Sequence, residues 1–239
     1  MTYNYPDVHL RTFIDSDSKD VLGAVLRRVY AWMTLGLLIT AGVAALVSAS
    51  PLFQILTGQP LIFFGLLLVE LALVMGLSWG IKRLSTTAAI SLFLIYAALN
   101  GLTLSTLFVV YTLGSVAFTF LASAATFGVM SVIGYTTKID LSKMGSFLLM
   151  GLVGLIVAML VNIFWANSAL GWIITFAGIL LFLGLTVFDT QRIKRMTATA
   201  LQQGDDEFEA RLGILGALSL YLDFINLFLF LLQLGGRRR

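Results

Sequence analysis

Residues 218–230 read "LSLYLDFINLFLF". The run is apolar enough to lie in a lipid bilayer, yet Asp223 stands near its centre. An ionised aspartate in the middle of a membrane helix costs at least ~2.5–3.5 kcal/mol on insertion scales, so such residues face a bundle interior and mark an ion or proton path. Around it, Gly216, Ser219, Asp223, Asn226 and Gln233 recur at steps of three, four and seven. That spacing draws one polar seam along an otherwise apolar cylinder. A helix of this kind belongs at the centre of a bundle, with other helices around it.

The rest of the chain supplies those helices. Of 239 residues, 59% are hydrophobic and 11% charged, against about 25% charged in soluble domains. No charged residue occurs from Val29 to Val69, from Leu84 to Thr137, or from Met144 to Phe188. A spanning helix needs about 20 apolar residues, so each run holds about two. The chain therefore reads as an all-α integral membrane protein, because backbone polar groups within lipid must be satisfied internally. The short alternating strands of a transmembrane barrel are not visible.

The spacing predicts seven spans, at 29–49, 61–81, two within 84–137 divided near 112–115, 145–166, 171–190 and 212–234. Pro51, Gly58 and Pro60 mark 50–60 as a loop. Residues 1–25 read as a polar tail without the plan of a signal peptide, 26–236 as a single transmembrane domain and 237–239 as a basic tail. Lys and Arg concentrate in the leader, at 82–83, in 138–143 and in 191–211, whereas the loops near 50–60, 112–115 and 166–170 hold none. This alternation places the N-terminus in the cytoplasm, and seven spans would then put Arg237–Arg239 on the far side. The net charge of +3 reflects these insertion signals and does not indicate nucleic-acid binding. Arg192, Lys194 and Arg195 read mainly as stop-transfer charges. There are no cysteines, which excludes disulfides and thiolate chemistry, and the one histidine, His9, lies in the polar leader.

Three acids fall inside apolar spans: Glu70, Asp189 and Asp223. Glu70 and Asp223 read as midplane residues and Asp189 as lying near the cytoplasmic end of its span. Tyr96, Asn100 and Thr103 in the third span, and Thr175, Gly178, Thr186 and Asp189 in the sixth, share faces that could line the same interior. The carboxyls can stay protonated, or they can bind a metal cation, for which a hard oxygen set suits Ca²⁺. Two close carboxyls sharing a proton titrate as a pair and would act as a pH switch: protonated they hydrogen-bond and hold two helices together, deprotonated they repel. The structural alternatives are a neutral Asp223 satisfied by Asn226 or a backbone carbonyl, and an ordinary ion pair between Asp189 and Arg192.

"GALSLYLDFINLFLFLL" (216–232), "GLTVFDTQRIK" (184–194) and "ALNGLTLSTLF" (98–108) resemble the Bax inhibitor-1, or transmembrane Bax inhibitor motif, family, especially its bacterial inner-membrane members. The resemblance covers about 25–234. It implies six helices wrapped around a central seventh, a bacterial inner-membrane location, and no enzymatic activity or resident cofactor. It also implies a Ca²⁺ leak controlled by pH through two aspartates, which match Asp189 and Asp223. These would be pH-sensing residues and Ca²⁺ ligands, with Lys82 or Arg83 as a basic latch. Glu70, Asn100, Thr103, Ser219 and Asn226 would line the interior. Expected partners are the bilayer, calcium ions, protons and other membrane proteins.

Three rivals remain. Paired intramembrane aspartates also describe presenilin-like proteases, but here Asp223 follows Leu220-Tyr221-Leu222 and no proline occurs after Pro60, so the Gly-x-Gly-Asp and Pro-Ala-Leu motifs are missing. A proton-coupled transporter would show repeats or broken helices, and neither is legible. A regulator that binds membrane proteins without transporting anything is the third.

Overall fold

The computed structural model describes the backbone of residues 7–80, 83–203 and 206–238 and the side chains of 22–80, 83–200 and 210–238. The described residues form α1 (Asp7–Ser48), α2 (Leu52–Gly58), α3 (Pro60–Gly80), α4 (Thr86–Leu104), α5 (Leu107–Val110), α6 (Leu113–Thr136), α7 (Met144–Trp165), α8 (Ser168–Gln203) and α9 (Asp206–Gly235). Seven segments are long and apolar enough to cross a membrane: 22–48, 60–80, 86–110, 113–136, 144–165, 168–200 and 210–235.

Local chemistry sets most boundaries. Ser85 accepts the Ala88 N–H and caps α4, and Thr112 accepts the Ser115 N–H and caps α6, as short hydroxyl side chains do at helix starts. The α7–α8 turn has Ala166 in the left-handed region, at φ 45°. The Asn167 side chain then accepts the N–H groups of Ala169 and Leu170 at 2.9 and 3.2 Å.

Four features differ from the sequence expectation. The leader is helical from Asp7 and continuous with the first span, and 191–203 extends α8 where a loop is expected. Neither segment contains glycine or proline between the polar stretch and the span, except Gly23, so leaving the membrane does not end the helix. The 50–60 loop holds the short helix α2, about two turns long. The third span breaks at Ser105–Thr106, between α4 and α5. There the hydroxyls of Ser105 and Thr106 donate to the carbonyls of Leu102 and Thr103 at 2.6 and 2.7 Å. Such hydroxyls offer the backbone an alternative to the helical ladder, which breaks a span that has no proline.

α9 is the most buried of the spans: 67% of its apolar window is buried, against 11–33% for the others. It packs most extensively on α8 and also on α1, α6 and α4, while α3 leans on α4 and α7 on α8. Lipid offers little hydrophobic drive for helix association, so close van der Waals packing carries it. A Cβ on Gly101 would come within 2.7 Å of the Thr40 carbonyl, and one on Gly134 within 2.7 Å of the Val187 carbonyl. These two glycines seat α4 on α1 and α6 on α8.

The outer faces are apolar. Phe64 and Leu68 of α3, Phe147, Met150 and Phe164 of α7, and Trp79, Trp165 and Trp172 near span ends are exposed, the last three where aromatic side chains meet the interface. The chain end docks at the turn that starts α6: Thr112 N–H donates to the Arg237 carbonyl at 3.2 Å, and Arg237 N–H to Ser115 Oγ at 2.9 Å.

Candidate functional site

α8 and α9 form an antiparallel pair that brings the aspartates together. Asp189 lies 14 residues before the end of α8 and Asp223 17 residues after the start of α9. At a rise of 1.5 Å per residue they sit roughly 4.5 Å apart in depth. Because α8 stays helical to Gln203, Asp189 lies well inside the helix, three residues before Arg192, the first of the charges that follow the apolar stretch.

The two carboxyls are close enough to interact electrostatically. Asp223 is 4% exposed, and its Oδ2 is buried without a hydrogen-bond partner. Asn226 does not satisfy it, because the Asn226 amide donates to the Leu222 carbonyl of its own helix at 2.8 Å. Asp189 is partly exposed, and Arg192 Nη1 stands 4.0 Å from its Oδ1. No hydrogen bond joins the two aspartates among the described residues. The other helices meet α9 at this level with rings: Phe93 and Tyr96 of α4 on Tyr221, and Phe120 and Phe127 of α6 on Phe224.

A cavity of about 250 Å³ reaches Asp189 from the α8–α9 turn end. Asp189, Arg192, Gly216 and Ser219 line it, together with Ser78 and Trp79 of α3. Ser219 is one turn from Asp223, so the cavity reaches toward the level of the buried carboxyl. Thr175 and Thr186 do not line it with hydroxyls, since both donate to carbonyls four residues back on α8.

Glu70, Asn100 and Thr103 form a separate cluster. Thr103 Oγ1 donates to Glu70 Oε1 at 2.5 Å, and the Asn100 amide donates to Glu70 Oε2 and to the Tyr96 hydroxyl, both at 3.4 Å. Nearby, Thr40 Oγ1 is hydrogen-bonded to the Tyr221 hydroxyl at 2.6 Å and donates to the Ala97 carbonyl at 2.8 Å. Tyr221 and Asp223 are two residues apart, about 200° around the helix. The polar residues expected to line one interior therefore divide between opposite sides of α9. Interhelical hydrogen bonds in bilayers are worth about 0.6–2 kcal/mol each, so Glu70 is accommodated locally and Asp223 is not.

The basic residues also take distinct places. Lys82 lies outside the described residues. Arg83 is exposed and makes no ion pair among the described residues; the guanidinium beside the aspartates is that of Arg192. Lys194 and Arg195 do more than mark a membrane boundary. Lys194 donates to the Tyr135 carbonyl at 3.1 Å, and Arg195 bonds to Asp140 at 2.5 Å and to Gln191 at 2.6 Å. Gln191 accepts the Leu141 N–H at 2.9 Å and donates to the Ile139 carbonyl at 2.7 Å. This clamp ties the α6–α7 loop to α8. Gln191 gave no sequence signal, because it stands among charges already explained by insertion.

Hydrogen bonds from the Ser142 hydroxyl and N–H, aided by Arg195, hold the Asp140 carboxyl down at about 2. A value below the ordinary 3.8 means that the contribution to the clamp is present above 3.8 and lost as pH falls towards 2. The clamp is therefore insensitive to pH in the physiological range.

No group of three or more His, Cys, Asp or Glu side chains converges among the described residues. Ca²⁺ takes 6–8 oxygen ligands, so the two carboxyls and the Ser219 hydroxyl do not by themselves complete a calcium coordination sphere.

The profile of the family described as "Inhibitor of apoptosis-promoting Bax1" matches residues 22–239. The chain is 46% identical over 219 residues to the inner membrane protein YbhL of Escherichia coli K12, covering 91% of this chain and 93% of that protein. It is 45% identical over 219 residues to an uncharacterized protein of Deinococcus radiodurans, at 92% and 93% coverage. It is 41% identical over 220 residues to an uncharacterized membrane protein of Streptococcus pyogenes, at 90% and 93% coverage. Carrying the motif-bearing α4, α8 and α9 within a match of this extent, the chain belongs to the Bax inhibitor-1 family of membrane proteins.

Proposed function

We propose that the protein is a pH-responsive calcium leak pathway of the bacterial inner membrane, with its N-terminus in the cytoplasm. The observation that carries this reading is Asp223 Oδ2, buried and unpartnered close to Asp189, which lines an open cavity. A buried polar group without a partner costs ~1–3 kcal/mol, and a visiting cation or proton would relieve that cost. Calcium and protons compete for the same oxygens, so calcium association releases protons from the pair and strengthens as pH rises.

Arg192 competes for Asp189 from the cytoplasmic side. Its side chain is 55% exposed, and pairs of this kind are worth ~0–1 kcal/mol. Arg192→Gln is therefore expected to raise calcium flux into proteoliposomes roughly two- to five-fold, since 1.4 kcal/mol is ten-fold. Asp140→Asn, measured in the same assay, is expected to leave the pH response unchanged, because that carboxyl stays charged between about pH 5 and 8. The reading fails if wild-type proteoliposomes show no calcium flux above empty liposomes, or if Asp189→Asn leaves flux and its pH response as they were.

One observation favours proton-coupled transport as a second reading. The third span is broken at Ser105–Thr106, beside Thr103 and Glu70, and broken helices are a feature of transporters. That reading requires flux of a solute to move protons in stoichiometric amounts.

A further inference from the structure

α1 and α6 both pack on α9 but make no extensive contact with each other. The gap between them is a groove of about 660 Å³. On α1 it runs from Gly23 to Leu38, and on α6 from Tyr135 to Phe120, with Phe224 as its floor. Fifteen residues of helix on each wall span about 22 Å, most of the ~30 Å hydrocarbon core. Its walls are apolar except for Thr34 midway and the polar groups at one end. There Arg27, exposed and without an ion-pair partner among the described residues, faces the mouth from α1. Tyr135 lines the opposite wall, with Lys194 5.0 Å above its ring. One turn deeper, Ser131 is 6% exposed and lines the groove with its hydroxyl buried and unpartnered.

We propose that this groove is a binding site for an anionic phospholipid of the leaflet that holds the N-terminal end of α1. One acyl chain lies along Phe120, Phe127 and Phe224. The ester carbonyl accepts the orphaned Ser131 hydroxyl. The phosphate sits against Arg27. The depths match this order: a cation at the mouth, hydroxyl one turn in, rings below. A juxtamembrane Arg or Lys is worth about 1 kcal/mol toward an anionic lipid, about a five-fold preference.

The test is native mass spectrometry of the full chain in mild detergent with equimolar phosphatidylglycerol and phosphatidylcholine. The wild type is expected to retain one lipid, with phosphatidylglycerol favoured about five-fold. Arg27→Gln is expected to retain lipid without that preference. Gly128 opens on the groove, and a Cβ there meets nothing within 4 Å. Gly128→Leu is therefore expected to fill the groove and abolish retention while keeping its melting temperature in lipid-free detergent. Equal retention of both lipids by the wild type overturns the proposal, as does full retention by a folded Gly128→Leu. If Gly128→Leu does not fold, an unchanged preference in Arg27→Gln overturns it alone.

Discussion

Asp223→Leu is expected to make the protein more stable and to stop calcium flux. Leucine has the same branched four-atom skeleton as aspartate and removes an oxygen that is buried without a partner. Relief of such a group is worth ~1–3 kcal/mol, and in chains of this length each kcal/mol moves a melting temperature by roughly 2–4 °C. Thermal unfolding in detergent should therefore shift upward by several degrees. Flux in proteoliposomes should fall at least ten-fold, because the variant leaves Asp189 alone at the inner end of the cavity. Asp223→Asn separates charge from shape: it is expected to keep the fold and lose the pH response. Asp189→Leu should stabilise less, since Asp189 is partly exposed and already paired with Arg192. Stability gained at the expense of activity marks a residue kept for function; a loss of stability in Asp223→Leu would make the carboxyl an ordinary structural element.

Two glycines on one helix should respond in opposite directions. A Cβ at Gly134 would sit 2.7 Å from the Val187 carbonyl and 2.9 Å from Thr190 Cβ. The first is backbone and cannot rotate away, so Gly134→Ala must push α6 off α8. Overpacking of this kind costs ~1–3 kcal/mol. The helix it is pushed from, α8, carries Asp189 and the clamp at Gln191, so flux should change as well. Gly128, six residues earlier, has open space around it. Gly128→Ala removes only the flexibility of glycine within a helix and should stabilise by ~0.5–1 kcal/mol. Melting temperatures of the two variants in one detergent give the comparison directly.

The spans and the acids were legible because each depends on one strong signal. Twenty apolar residues cross a bilayer, and a carboxyl among them stands out. The face shared by Tyr96, Asn100 and Thr103 was legible from spacing, and Glu70 proved to be its partner. The reach of α8 was not. Hydropathy marks where the membrane ends, whereas helices end at breakers and caps, and "QRIKRMTATALQQ" contains no breaker. The depth match of Asp189 with Asp223 depends on that reach and is hidden in the sequence. The division of polar residues between two sides of α9 was also hidden. Periodicity along one helix does not say which neighbour each face meets, and only the contact of Tyr221 with Thr40 separates the sides. The break at Ser105–Thr106 lacks the proline that usually announces one.

The measurement closest to the core of this reading is infrared difference spectroscopy of the reconstituted protein through a pH titration, with and without calcium. A protonated-carboxyl band that fades as pH rises, fades on addition of calcium at fixed pH, and is missing from Asp223→Asn is the expected result. The same band in Asp223→Asn, or one that calcium leaves untouched, would contradict the claim that protons and calcium compete for this buried carboxyl.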